Sequence, residues 1–349
     1  MKKLIGRLVA PVMLAFVVTG CGGGNGTTPV AGGGDAAANT GRPVVAVLTP
    51  NATHGFTGDS IRHAQAAAVE LADEFGVDFR LLTSAESNEQ NNQITTMIND
   101  QVDVIVLWPH NGDEVRSGAL SIEEAGIPLV VYNRLIPGFT PTAEVAGDNI
   151  GIGEMAGEYF NQFFAAELAA GEVNILEFRG DNSIVPIERN QGFESTMDAN
   201  MNIVQSFVTG WQRQVAMEQM ETFLNTSSVE QIESIQAIFT HDDEVVLGVL
   251  DAIENYNGAA DLNIRLISGI GGRAQNLEIF DSVYDRLSIY KITYEFSPVM
   301  VRDPIIAGAR IANGENVTGI IRIPTFEIDS TTVDEFMASE SFIRRYSLD

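Results

Sequence analysis

The chain has a single cysteine, Cys21, among its 349 residues. A disulfide framework is therefore excluded, and everything after Cys21 is without thiol chemistry. Positive charge is scarce too: 20 Lys and Arg stand against 47 Asp and Glu, a formal net charge of −27. That balance excludes a nucleic-acid partner and docking on anionic lipid head groups, and it suits solubility in a salty or marine setting. There is no G-x-x-x-x-G-K-[ST] and no G-x-G-x-x-G run, so the usual phosphate cradles are missing. There is no nucleophile elbow either, which leaves His54 and His110 with nothing to activate as a catalytic pair. The leading apolar stretch, Leu8 to Val18, is too short to span a bilayer comfortably.

What is present begins with a leader. Lys2 and Lys3 precede that apolar stretch, the arrangement of a signal peptide. It ends in Val18-Thr19-Gly20-Cys21, which resembles the lipobox of bacterial lipoproteins. The resemblance implies cleavage before Cys21, lipidation of its thiol and acylation of the new N-terminus. Several acyl chains, each worth about 0.8 kcal/mol per buried CH₂, anchor a protein stably. Residues 1–20 are thus read as the signal and residues 21–42 as a Gly-rich flexible tether. Without Lys2, Lys3 and Arg7 the remainder carries 17 basic against 47 acidic residues, or −30.

The stretch from Val44 to Ala68 organises the rest of the chain. Val44 to Leu48 is a β-branched run of the kind that forms a buried parallel strand. A loop over Thr49 to Phe56 leads to a helical pattern with Ile61, Ala64, Ala68 and Leu71 on one face and Thr57 or Asp59 as N-cap. The loop leaves the carboxyl end of a strand, where open α/β sheets bind ligands. Strand and helix patterns then alternate through Val102 to Leu107, Pro128 to Tyr132 and Ala143 to Gly147, with Asp148 as cap of a long helix from about Ile150 to Ala170. A second series runs from Val173 to Thr293, including strands ending at Phe178, Val208, Thr240 and Ser268. Two such series predict an α/β protein with two doubly wound, Rossmann-like lobes of parallel sheet.

Several post-strand positions carry polar and aromatic side chains together: His54-Gly55-Phe56, Asn133-Arg134, Arg189 in ERNQGF, Trp211, His241-Asp242-Asp243-Glu244, and Tyr294-Glu295 before Pro298. In order and spacing these resemble the type I periplasmic substrate-binding proteins of ABC transporters, and among them the ribose- and galactose-binding proteins. The resemblance covers about Arg42 to Ile328. It implies a multi-strand hinge with crossings near Asp148, Glu295 and Pro324, giving one lobe from 43–147 and 296–324 and another from 148–295 and 325–349. It implies no catalytic step and no cofactor. The expected action is capture of a sugar, a monosaccharide, by a monomer anchored to the membrane at its extracytoplasmic face and delivering to a permease. The alternative is the same clamshell presenting its ligand to a chemoreceptor or histidine kinase.

Each expected ligand residue has a reason in its chemistry. Phe56 and Trp211, one from each lobe, would cover the apolar faces of a sugar ring. Arg134 and Arg189 can donate paired hydrogen bonds to neighbouring hydroxyls. Asp242 is expected to accept from a hydroxyl, with helix capping falling to Asp243. His54, Trp108, Asn133 and Glu295 complete the set, Trp108 standing between pocket rim and packing. The run from His241 to Glu244 looks metal-like, but successive residues at a helix start point in different directions, so no metal is expected. The family's Gly-Phe-Asp-Gly is replaced by Gly269-Ile270-Gly271-Gly272, read as a tight turn, and its usual Asp by Asn133. The first change removes a familiar ligand carboxylate.

Overall fold

Short aliphatic runs with no polar face must be covered on both sides, and in the computed structural model each becomes a strand between layers of helix. The structure describes residues 41–52 and 55–347. The leader, Cys21 with its expected lipid, residues 22–40 of the tether and His54 lie outside the described residues.

The strands are β1 (Val44–Pro50), β2 (Asp78–Ser84), β3 (Val104–Leu107), β4 (Leu129–Tyr132), β5 (Ala143–Gly147), β6 (Val173–Arg179), β7 (Met201–Val208), β8 (Ile235–Thr240), β9 (Leu266–Gly271), β10 (Tyr290–Glu295), β11 (Gly319–Ile323) and β12 (Glu327–Asp329). They form two six-stranded sheets, ordered β11-β5-β4-β3-β1-β2 and β12-β10-β9-β8-β6-β7. Every pairing is parallel except the last, where β12 runs antiparallel to β10. The chain passes from the first sheet to the second after β5, returns after β10, and crosses once more between β11 and β12. The α/β class with two doubly wound parallel sheets is as the sequence predicts.

Side-chain alternation divides each sheet between two cores. In the first sheet Ala46, Leu48, Ile105 and Leu107 face the helices Ser87–Asn99 and Gly112–Glu124, while Val45, Val47, Val104 and Val106 face Gly55–Phe75 and Arg302–Ala312. In the second, Phe178, Ile238 and Ile267 pack against Arg213–Thr226 and Asp243–Asn255, and Ile175, Phe239 and Leu266 against Asn149–Phe163 and Ile184–Thr196. The last two helices approach backbone to backbone. A Cβ on Gly153 would lie 2.1 Å from the Arg189 carbonyl, and one on Gly192 would lie 2.2 Å from that of Ile150. Glycine at both positions is what seats Arg189 against the neighbouring helix.

Several local expectations are corrected. The first helix already begins at Gly55, so Phe56 lies in its first turn and Thr57 and Asp59 lie inside it rather than capping it. The long helix breaks into Asn149–Phe163 and Ala165–Ala170, because Phe164 leaves helical geometry (φ −100°, ψ 20°) with its ring fully buried. Asp148 does cap, accepting from the Gly151 N–H at 3.1 Å. The glycines after Ser268 continue β9 through Gly271 instead of turning at once. Their lack of side chains leaves room for Asp243, whose Oδ1 would stand 2.3 Å from a Cβ on Gly269.

Asp243 anchors a buried polar network below β9, accepting from Asn276 Nδ2 at 2.6 Å, Thr293 Oγ1 at 2.7 Å and the Arg273 N–H at 2.7 Å. Lys291, the one lysine after residue 3, is buried beside it, with Nζ donating to the Asn276 carbonyl at 2.8 Å and lying 4.9 Å from the Phe280 ring centre. Burial pushes its pKa down to about 7.

Phe239 tests the second core. It is fully buried and stacks on Phe193 at 4.5 Å, so Phe239→Ala is expected to lose about 3–5 kcal/mol of unfolding free energy. Urea titration followed by circular dichroism reads this; a loss below about 1 kcal/mol contradicts the packing described.

Candidate functional site

Parallel order 2-1-3-4-5 reverses direction between β1 and β3, and the second sheet repeats the pattern between β6 and β8. Ligands of such sheets sit beyond the carboxyl ends of strands at that reversal. A cavity of about 410 Å³ lies there, lined from both sheets. From the first sheet come Phe56 after β1, Trp108 after β3, and Asn133 and Arg134 after β4; from the second come Arg189, Trp211 after β7, and Asp242 after β8. Seven of the nine expected ligand residues therefore share one cavity. Glu295 does not line it, and His54 lies outside the described residues.

On the first-sheet side the aromatics form a nested set. Phe56 meets Trp108 edge-on at 5.9 Å and Phe296 at 5.1 Å, and Trp108 meets Tyr132 at 5.2 Å. Trp108 is only 2% exposed and Asn133 8%. Trp108 Nε1 and Asn133 Oδ1 are both buried without a hydrogen-bond partner. Asn133 adopts a left-handed backbone (φ 64°), which Asn tolerates better than most residues, and this turns Arg134 back toward the loop after β3. There Arg134 donates to the His110 carbonyl at 2.8 Å and, across to the other sheet, to Asp181 Oδ2 at 3.3 Å.

Asp181 joins the two walls. Burial works to raise its carboxyl, but bonds from Ser183 and the Trp211 indole and the Arg134 charge outweigh it and hold it below the usual range. Trp211 also has a left-handed backbone (φ 63°), and its indole lies flat on Gly180, where a Cβ would stand 2.1 Å from the ring. Arg189 is 2% exposed. Its Nε donates to Asn149 Oδ1 at 3.0 Å and an amine to the His241 carbonyl at 2.6 Å. Its guanidinium stands 4.8 Å from the Phe296 ring centre and 5.8 Å from that of Trp211. Burial lowers its pKa to about 10, so it stays charged at neutral pH.

The capping assignment reverses. Asp242 caps the helix Asp243–Asn255, accepting from the Glu244 N–H at 2.8 Å, while Asp243 is the fully buried network anchor. Asp242 opens on the cavity, and burial, with repulsion from Asp243, lifts its pKa to about 7. Glu295 sits behind the wall, buried and likewise raised to about 7 by burial.

Sequence reasoning missed Asp59, Glu244, Arg273, Phe296 and Arg345, all of which line the cavity. Arg273 pairs with Glu244 at 3.2 Å and reaches Asp59 at 3.8 Å. Asp59 and Glu244 sit one turn or less from recognised positions, so helical spacing could have found them. Arg345 had no signal beyond being basic in an acidic chain. Among the described residues no His, Cys, Asp and Glu cluster is placed to hold a metal ion, and no helix is long and apolar enough to cross a membrane.

The family model described as "Periplasmic binding protein domain" matches residues 45–315. The ribose import binding protein of Bacillus subtilis is 27% identical over 202 residues, 58% of this chain and 60% of that protein, so the match spans less than two thirds of that relative. The D-xylose-binding periplasmic protein of Haemophilus influenzae is 22% identical over 278 residues, 75% of this chain and 78% of that protein. Among solved structures, an ABC transporter solute binding protein from Bacillus halodurans with bound myo-inositol aligns with a TM-score of 0.72 at 22% identity, covering 85% of this chain and 98% of that one. The arabinose-transporter binding protein from Shewanella sp. ANA-3, bound to L-arabinofuranose, gives 0.70 at 20% identity, covering 87% and 95%. At these identities the structural likeness speaks to fold.

Two expected outcomes arise from the buried carboxyls and the indole. Asp242 and Glu295 have folded pKa values raised above their ordinary 3.8 and 4.5 to about 7. Each therefore contributes stability that is full below about pH 4 and is lost as the pH rises through about 7. The double variant Asp242→Asn, Glu295→Gln should lose less unfolding free energy than the parent between pH 5 and pH 7; an identical slope in both contradicts the assignment. Gly180→Val should displace Trp211 and alter tryptophan emission while the far-ultraviolet circular dichroism is retained.

Proposed function

Because the chain belongs to the periplasmic binding protein family, we propose that it captures a sugar in the cavity between its two sheets and passes it to an ABC transporter permease. The observation that carries this reading is the cavity of about 410 Å³, in which aromatic rings and charged or amide side chains from both sheets stand together. Phe56, Phe296 and Trp211 supply apolar faces for a ring, and Arg134, Arg189 and Asp242 supply directional bonds to its hydroxyls.

Hinge closure around a ligand is the motion familiar from periplasmic binding proteins. Here the Arg134–Asp181 contact links the loops after β4 and β6, so closing the two sheets and fixing the Arg134 guanidinium are one event. No catalytic step is assigned. Lipidation of Cys21 would hold the protein at the extracytoplasmic face, with residues 22–42 letting the body reach its permease. The lobes are assigned as 43–147 with 296–324 and 148–295 with 325–349.

A thermal-shift screen over pentoses, hexoses, polyols and disaccharides should find a ligand, since one that binds only the folded state raises the melting temperature. Calorimetry with that ligand should then show Arg134→Ala and Asp242→Ala each weakening binding by about 1.5–3 kcal/mol, the range for hydrogen bonds to charged groups. Unchanged dissociation constants in both variants would falsify these assignments, and turnover of the ligand would defeat the binding reading.

A further inference from the structure

Four guanidinium groups line the cavity, those of Arg134, Arg189, Arg273 and Arg345. Two are neutralised on the spot. Arg134 pairs with Asp181, and Arg273 with Glu244 and, at longer range, Asp59. The other two, Arg189 and Arg345, are 2% and 6% exposed and form no ion pair among the described residues. Buried charges are ordinarily paired, because removing an ion from water costs several kcal/mol.

Arg345 arrives from an unexpected direction. It lies on the C-terminal helix Glu340–Tyr346, beyond the residues 45–315 that the family model matches. That helix is fixed from both sides of the cavity. Its guanidinium donates to the carbonyls of Gly271 and Gly272 at the end of β9 and of Phe296 after β10, at 2.5, 2.8 and 3.2 Å. The backbone carbonyl of Arg345 meets His63 Nε2, from the helix that carries Phe56, at 2.9 Å. The side chain is therefore held in place against the cavity by a built seat, not swung there from a flexible tail.

The carboxyl groups of Glu295 and Asp243 act on Arg345 through space, and neither forms an ion pair with it among the described residues. Asp243 accepts from Asn276, Thr293 and the Arg273 N–H. Glu295 forms no ion pair among the described residues, and burial favours its neutral form. The position where the resemblance leads one to expect a ligand carboxylate holds Gly271.

We propose that the cavity takes a sugar acid, an aldonate or uronate, whose carboxylate is met by Arg345 with Arg189 close by; this deepens the sugar reading and rests on it. A carboxylate supplies the missing counter-charge, and the planar guanidinium forks match its two oxygens. Arg345 is then the specificity-determining residue, separating the acid from the sugar bearing CH₂OH or CHO at the same carbon.

Matched pairs test this: D-galacturonate against D-galactose, D-glucuronate against D-glucose, and D-gluconate against D-glucose, by titration calorimetry on the full chain. At least one acid should bind 10-fold or more tightly than its neutral partner, and its affinity should fall with added salt while that of the neutral sugar holds. Arg345→Ala should bring acid and neutral sugar within about 3-fold of each other. Arg345→Lys, which keeps the charge and serves if the alanine variant does not fold, should retain a preference for the acid. Neutral members binding as well as the acids in every pair overturns the inference and leaves the sugar reading standing. Binding to neither member of any pair overturns the inference, and the sugar reading then falls only if the thermal-shift screen over pentoses, hexoses, polyols and disaccharides is also empty.

Discussion

Strand polarity is the constraint on which the molecule rests. In a parallel sheet every loop that follows a strand opens at the same edge, so chemistry placed anywhere after a strand converges without long-range design. Here two sheets repeat the order 2-1-3-4-5 and share a single cavity at those edges. Residues as distant in sequence as Phe56, Arg134, Trp211 and Asp242 become neighbours for that reason alone. The helices serve the same end. Glycines at 153 and 192 bring two helices close enough to set Arg189 against Asn149, the His241 carbonyl and two aromatic rings.

Charge is the second organising feature. The chain as a whole is strongly acidic, yet its cavity is lined by four arginines and three carboxylic side chains. The arginines are held by carbonyls and by carboxylates that lie on the opposite wall, as with Arg134 and Asp181. Closure and electrostatics are thereby coupled: separating the sheets strips a partly buried guanidinium of its partner. Asp242 adds a carboxyl that burial brings into the neutral range, so the wall it occupies can act as donor or acceptor.

The strands were legible because aliphatic runs such as Val104–Leu107 have one physical destination, a sheet covered on both faces. Their ends were less so. β9 runs on through Gly271 because the strand edge must pass over the Asp243 side chain, a tertiary demand that glycine composition alone reads as a turn. The post-strand residues reached the cavity because position after a strand fixes direction. Glu295 did not, since it ends β10 with its carboxyl turned behind the wall toward the Ser297 N–H and Arg345. Capping at Asp242 rather than Asp243 was not decidable from two adjacent aspartates; burial of the second within the Asn276 and Thr293 network decides it. Arg345 was illegible because a short terminal helix folds back over the chain by contacts that leave no periodic trace.

The burial of Lys291 reaches past stability. It is the only lysine after residue 3, and its amine is enclosed by Asn276 and the Phe280 ring. The folded body thus shows solvent guanidinium groups but no side-chain amine. Aldehydes and open-chain aldoses condense with amines, and arginine is always protonated and far less nucleophilic. Such a surface offers open-chain aldoses no lysine amine to condense with, and amine-directed labels and crosslinkers find no exposed lysine on it.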